Sequence, residues 1–145
     1  MRRFRFRLES VLGWRLIQLE LEETQLQGLF GELRQLESRQ AALEAAKAEA
    51  ERSVLSLQVV EAQELGALEA HRLHLASEKA RLREQQADCA VRIATQRDAV
   101  RKAEQNLRLL ERIKQRRFAE WAREVDKEQE SLAAEVFLAQ WHRES

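Results

Sequence analysis

The sequence predicts an all-α protein, a long two-helix antiparallel coiled-coil hairpin, and three observations carry that expectation. The 145-residue chain contains no Pro, no Tyr and four Gly, whereas a compact domain uses roughly 7% Gly and 5% Pro, largely in its turns. Ala, Glu, Leu, Arg, Lys and Gln dominate, and these residues lose little conformational freedom in a helix. Leucines recur with a 3.5-residue period along most of the chain, the period that keeps one stripe of each helix facing a partner helix. An all-β sandwich, a disulfide scaffold and a Gly-rich nucleotide fold all conflict with this composition. Aromatic residues are 6% of the chain, which predicts a narrow seam rather than a wide core.

The first helix is expected over about residues 5–57. Alternating steps of four and three from Leu8 visit Leu8, Leu12, Arg15, Leu19, Glu22, Leu26, Leu29, Leu33, Leu36, Gln40, Leu43, Lys47, Ala50, Val54 and Leu57, and eleven of the fifteen are apolar. The segment 58–66, QVVEAQELG, holds β-branched Val59 and Val60 together with Gly66. It is the poorest helix former in its neighbourhood and is read as the turn.

The second helix is expected over about residues 67–142. Its frame runs Leu65, Leu68, Arg72, Leu75, Lys79, Leu82, Gln86, Cys89, Ile93, Gln96, Val100, Ala103, Leu107, Leu110, with ten of fourteen positions apolar. Beyond Leu110 the frame stutters through Lys114 to Phe118, then continues through Trp121, Val125, Glu128 and Leu132. A stutter locally unwinds a supercoil, so the last stretch is expected to leave the seam. Two helices joined by a short break fold back most simply as a hairpin about position 61. The paired part would then be a rod of roughly 75 Å, with residue 8 opposite about residue 114. One uninterrupted helix in a parallel dimer is the competing arrangement.

The formal net charge is zero, yet it is unevenly spread: +4 over residues 1–15, −7 over 16–70, +5 over 97–117 and −4 over 118–145. A hairpin would gather the two basic segments at its open end. Arg5, Arg7 and Arg15 with Arg112, Lys114 and Arg117 are the candidate docking bases, and Phe4, Phe118 and Trp121 the aromatic residues beside them. Such an end suits a protein partner; nucleic acid or an anionic membrane surface is the alternative occupant. Trp14, Trp121 and Trp141 are either packed against neighbouring segments or exposed as interface anchors.

Nothing in the chain is arranged for catalysis. His71, His74 and Glu78 lie a turn apart but lack a second cluster to complete a metal shell. Cys89 occupies a seam position, where a small buried hydrophobe is the expected role. A single Cys fits a reducing compartment, and no uncharged run exceeds eight residues, so a soluble cytoplasmic protein is expected. Gly28 and Gly31 lack the Lys-Ser/Thr and the strand context of a phosphate loop. They mark either a soft patch or a close contact. Accordingly no enzyme activity, cofactor, metal or small-molecule substrate is expected.

The two ends of the chain carry a resemblance. The start, Phe4-x-Phe6-x-Leu8-Glu9-x-Val11-Leu12-x-x-Arg15, resembles the opening signature of the flagellar export protein FliJ family. Arg97-x-x-x-Arg101-x-x-Glu104, then Leu110-Glu111-Arg112-x-Lys114-x-Arg116-Arg117, resembles that family's second signature, continued by Trp121 and Glu128-Gln129. Residues from about 20 to 90 are similar only in heptad character, and Ala133-Ala134-Glu135 departs from the Asp-Glu that members often carry. The resemblance implies an antiparallel coiled-coil stalk of the type III export apparatus. It further implies insertion into the hexameric export ATPase and its activation, contact with the export gate membrane protein and with export chaperones, and a cytoplasmic location peripheral to the inner membrane. Phe4, Arg5, Arg7, Arg15, Arg112, Lys114, Arg117, Phe118 and Trp121 are the residues assigned to ATPase binding under that reading. The alternative is a coiled-coil scaffold holding nucleic acid or a membrane surface by its basic end.

Overall fold

The structure, a computed structural model, describes residues 2–144. Two helices account for nearly all of it, α1 (Glu9–Leu55) and α2 (Ala62–Glu144). They pack against each other as an antiparallel hairpin, with no strand among the described residues. By its contacts the chain forms two compact units, residues 1–20 with 101–145, and Leu21–Val100.

In the Leu21–Val100 unit, seam positions are the covered ones. Leu75, Leu82, Cys89 and Ile93 are buried, with Cys89 fully so. Leu26, Leu29, Leu33, Leu36 and Leu43 on α1 are half-buried, as is Val100 on α2. No α1 residue is buried, so the buried side chains of this unit all come from α2. The small Cys89 is the most covered of them, its Sγ 3.5 Å from the Leu29 carbonyl oxygen on α1.

Two polar layers interrupt this seam. The Gln86 side-chain amide donates to Gln40 Oε1 at 2.8 Å. Gln96 Nε2 donates to the Glu22 carbonyl at 3.0 Å and also to the Glu22 carboxylate. A slip of one heptad would set Gln86 opposite Leu33 and leave its amide unpaired, so these layers fix the register. Flanking ion pairs join acidic α1 to basic α2: Glu32 to Arg92 at 2.9 Å, Glu51 to Arg72 at 3.2 Å and Glu44 to Lys79 at 3.9 Å. All are solvated and worth about 0–1 kcal/mol each. Their effect is on pairing specificity more than stability.

The element boundaries differ from those expected. The first helix begins at Glu9 rather than near residue 5, and residues 2–6 have no regular structure. The positive end of a helix dipole disfavours Arg5 and Arg7 in a first turn and favours Glu9 there. Leu8 therefore stands in the turn before α1 and is exposed, not a seam residue. The connection spans residues 56–61 rather than 58–66. Leu57 lies in it and is exposed, so the first frame ends at Val54. α1 closes by Leu57 N–H to the Val54 carbonyl at 3.2 Å and the Ser56 hydroxyl to the Ser53 carbonyl at 2.8 Å.

α2 opens where the Glu61 carbonyl accepts from the N–H groups of Glu64 and Leu65, at 3.1 and 3.2 Å. Gly66 is thus inside α2, which runs to Glu144 instead of 142. A glycine weakens a helix without ending it. The break comes from Val59 and Val60, whose branched side chains disfavour helix. No described residue has a positive φ. Leu65, although in frame, is exposed.

In the unit formed by residues 1–20 and 101–145, Leu12, Arg15 and Leu19 face α2 half-buried, and Leu107 and Leu110 are half-buried on α2. Ala103 is buried. The Lys114 ammonium pairs with the Glu9 carboxylate at 2.9 Å, close to the register expected from a turn about position 61.

Candidate partner-docking surface

Most of the predicted docking residues come together in the unit of residues 1–20 and 101–145. The N-terminal segment contacts α2 through three aromatic rings. Phe4 meets Phe118 edge-on, centroids 5.2 Å apart and planes at 86°. Phe4 and Trp121 centroids are 5.8 Å apart, and Phe118 and Trp121 5.6 Å. The Trp121 indole N–H donates to the Arg2 carbonyl at 3.1 Å, which satisfies its polar edge.

Of the two roles open to Phe118 and Trp121, packing on the chain start is the one seen for Phe4. Phe6 is placed differently. It lines a cleft of about 320 Å³ with Arg5, Arg7, Leu8, Ile113 and Arg117. Three apolar side chains and three arginines thus share its lining. Phe118 remains half exposed despite its ring contacts.

The candidate bases do not form one equivalent set. Lys114 is neutralised by Glu9. The Arg15 guanidinium lies 4.8 Å over the Trp14 ring, a cation–π contact on the α1 side. Arg5, Arg7, Arg112 and Arg117, together with Arg2, Arg3 and Arg116, have no carboxylate within 4.0 Å among the described residues. Sequence reasoning found the excess of positive charge here. Which bases stay unneutralised depends on cross-helix neighbours.

Aromatic truncation gives a direct readout of this cluster. Phe4→Ala should release the N-terminal segment, since each aromatic pair contributes about 0.5–1.5 kcal/mol. Limited trypsin digestion should then cut after Arg3, Arg5 and Arg7 at least several-fold faster, with the helical circular dichroism unchanged. Equal cleavage rates in Phe4→Ala and the parent would mean that the rings do not hold the segment.

The C-terminal part of α2 carries residues that sequence reasoning missed, Leu132 and Trp141 apart. Leu132, Val136, Phe137, Leu138 and Trp141 are all exposed, Trp141 at 65%. Every residue from 126 to 144 is exposed, because α1 and the segment before it supply nothing to cover them. The signal was present as the spacing Ala134, Phe137, Leu138, Trp141, one apolar face of a helix. The heptad frame, which follows a different face, passed over it.

Within Leu21–Val100 the openings are shallow grooves along the seam. A groove of about 790 Å³ is lined by Leu43, Glu44, Lys47, Glu51, Arg72, Leu75 and Lys79, among others. It exists because Lys47, Arg72 and Lys79 occupy frame positions and turn their charged ends out to water. His71 and His74 are exposed, and Glu78 is engaged by Arg81 at 3.9 Å. Among the described residues no three His, Cys, Asp or Glu side chains are grouped to hold a metal ion. Gly28 borders a groove with Gln25, Leu29, Glu32 and Arg92.

Compared with known proteins, the chain matches no family model, no curated protein and no solved structure. The functional reading therefore rests on the residues themselves. No helix among the described residues is long and apolar enough to cross a membrane.

Proposed function

We propose that this chain is a non-catalytic stalk of the flagellar type III export apparatus, which inserts into the hexameric export ATPase, activates it and contacts the export gate at the cytoplasmic face of the inner membrane. The observation that carries the reading is the uncovered C-terminal part of α2. At 3.6 residues per turn, Val125, Leu132, Val136 and Ala139 lie on one side of that helix, and Ala134, Phe137, Leu138 and Trp141 on the opposite side. A helix that is apolar on two sides needs cover from more than one direction. A ring of subunits closing around it meets that need; one flat surface or a single partner helix does not. The end signatures resembling the FliJ family point to the same partner, and the unneutralised arginines would steer the stalk towards an acidic ring.

The test is the rate of ATP hydrolysis by the purified hexameric flagellar export ATPase with and without the chain. The parent protein should raise the rate. Val136→Asp with Phe137→Asp should return it to the rate of the ATPase alone, while the melting temperature stays within about 2 °C, since both residues are exposed. Neutralising Arg5, Arg7 and Arg117 should instead slow association, and the difference should shrink with salt. No stimulation by the parent chain, or full stimulation by the aspartate variant, rejects the stalk reading.

A further inference from the structure

We propose that the arginine-lined cleft of the N-terminal segment docks on an anionic phospholipid bilayer. The inference rests on the side chains around Arg5, Arg7 and Arg117, and it stands or falls independently of the export-ATPase reading.

Seven guanidinium groups in one unit, those of Arg2, Arg3, Arg5, Arg7, Arg112, Arg116 and Arg117, lack a carboxylate partner among the described residues. Glu9, beside them, is already taken by Lys114. A cluster of four to eight unpaired cations is the pattern that anionic lipid surfaces attract. Four of the seven lie in residues 2–7, which are not helical and are pinned at Phe4 by the aromatic contacts. Arg5 and Arg7 are thereby held beside Arg117 at one cleft.

The cleft's lining decides between polyanions. Phe6, Leu8 and Ile113 line it together with the three guanidinium-bearing side chains. A phosphodiester headgroup with its acyl boundary offers both the charge and the hydrocarbon that this lining can meet. Single-stranded nucleic acid would use rings free to stack on bases, and a duplex would use the arginines but leave the apolar lining unmatched. Here Phe4, Phe118 and Trp121 pack edge-on or tilted against one another, and the Trp121 N–H is already used. Among the described residues no helix is able to span the bilayer, so attachment through this surface is peripheral and salt-sensitive.

The experiment is co-sedimentation of the full chain with vesicles, with no ATPase present. One set is pure phosphatidylcholine and the other contains phosphatidylglycerol at about one lipid in three. Binding is expected to the phosphatidylglycerol vesicles alone and should be lost when salt is raised from 0.1 to about 0.5 M. Each arginine near an anionic surface contributes about five-fold, so Arg5→Gln, Arg7→Gln and Arg117→Gln together should weaken binding about 100-fold. Arg5→Lys, Arg7→Lys and Arg117→Lys should retain most of it, since a bilayer reads charge rather than guanidinium shape. Arg34→Gln with Arg83→Gln, in the other unit, should leave it unchanged. Equal binding to both vesicle types, no binding at 0.1 M salt, or unaltered binding by the Gln variant overturns the proposal. So does binding to duplex DNA at 0.1 M salt that is tighter than binding to the phosphatidylglycerol vesicles, which would make nucleic acid the better occupant.

Discussion

Leu82→Ala should destabilise the Leu21–Val100 unit by about 2–3 kcal/mol, the lower part of the range for truncating a buried leucine. Leu82 is one of only four buried side chains in that unit, with 6% of its surface exposed. A two-helix seam partly collapses onto a vacated site, which keeps the cost below that of a wide core. Leu73, on the same helix but 65% exposed, gives the control: Leu73→Ala should fall within about 0.5 kcal/mol of the parent. Leu82→Asp should be worse than Leu82→Ala, because the carboxylate would lose water in the seam, a cost that Arg39 and Arg81 along the same groove offset only in part. Leu33→Asp, on half-buried α1, should cost less than Leu82→Asp, since its carboxylate can turn outward. Urea unfolding followed by circular dichroism measures all four. Equal losses at Leu73 and Leu82 would falsify the assignment of the seam face on α2.

Replacing Gly28, Gly31 and Gly66 by Ala should stabilise the same unit by about 2–3 kcal/mol in total, given about 1 kcal/mol for each Gly in a helix interior. A Cβ added at any of the three has nothing within 4 Å to meet, and none of them has a positive φ. The gain therefore comes from removing backbone freedom of the unfolded chain without a steric cost. Gly28 and Gly31 lie on neighbouring turns, so their effects should add less well than either does with Gly66. The melting temperature of the triple variant should rise by at least about 10 °C. A drop would show that the helix backbone at these positions is held in a way that a methyl group disturbs.

The same variants separate the two roles left open for Gly28 and Gly31. Both are exposed or nearly so on α1, and the open space over them lets another backbone approach closely. If a partner uses that approach, Gly28→Ala with Gly31→Ala should raise stability and still weaken partner binding. Gly66→Ala should raise stability alone. A soft patch without a contact predicts unchanged binding for every variant.

Particular residues show how far the chain could be read before its fold. Cys89 and Ile93 were placed in the seam by counting steps of three and four, and both are buried. Gln40 and Gln86 were likewise in frame, but a frame position says nothing about what a polar residue there does. Only the register brings the two amides within 2.8 Å. Leu8 shows the limit in the other direction. It satisfied the frame, yet Arg5 and Arg7 before it oppose a helix start, so the helix begins one residue after it. Gly66 drew the turn too far along the chain, because a weak helix former was read as a boundary.

The sequence by itself determined the class of the fold, the existence of two long helices and most of the face each one buries. Those properties follow from a repeat of 3.5 residues, which depends on neighbours a few positions apart in the chain. The tertiary structure alone decided what happens where the repeat runs out. Phe4 finds Phe118 and Trp121 more than a hundred positions away, Lys114 is neutralised by Glu9, and Arg5, Arg7 and Arg117 share a cleft with no acid to pair them. Charge and ring contacts of this kind are set by distances through space, and those exist only once the antiparallel register has brought remote segments side by side.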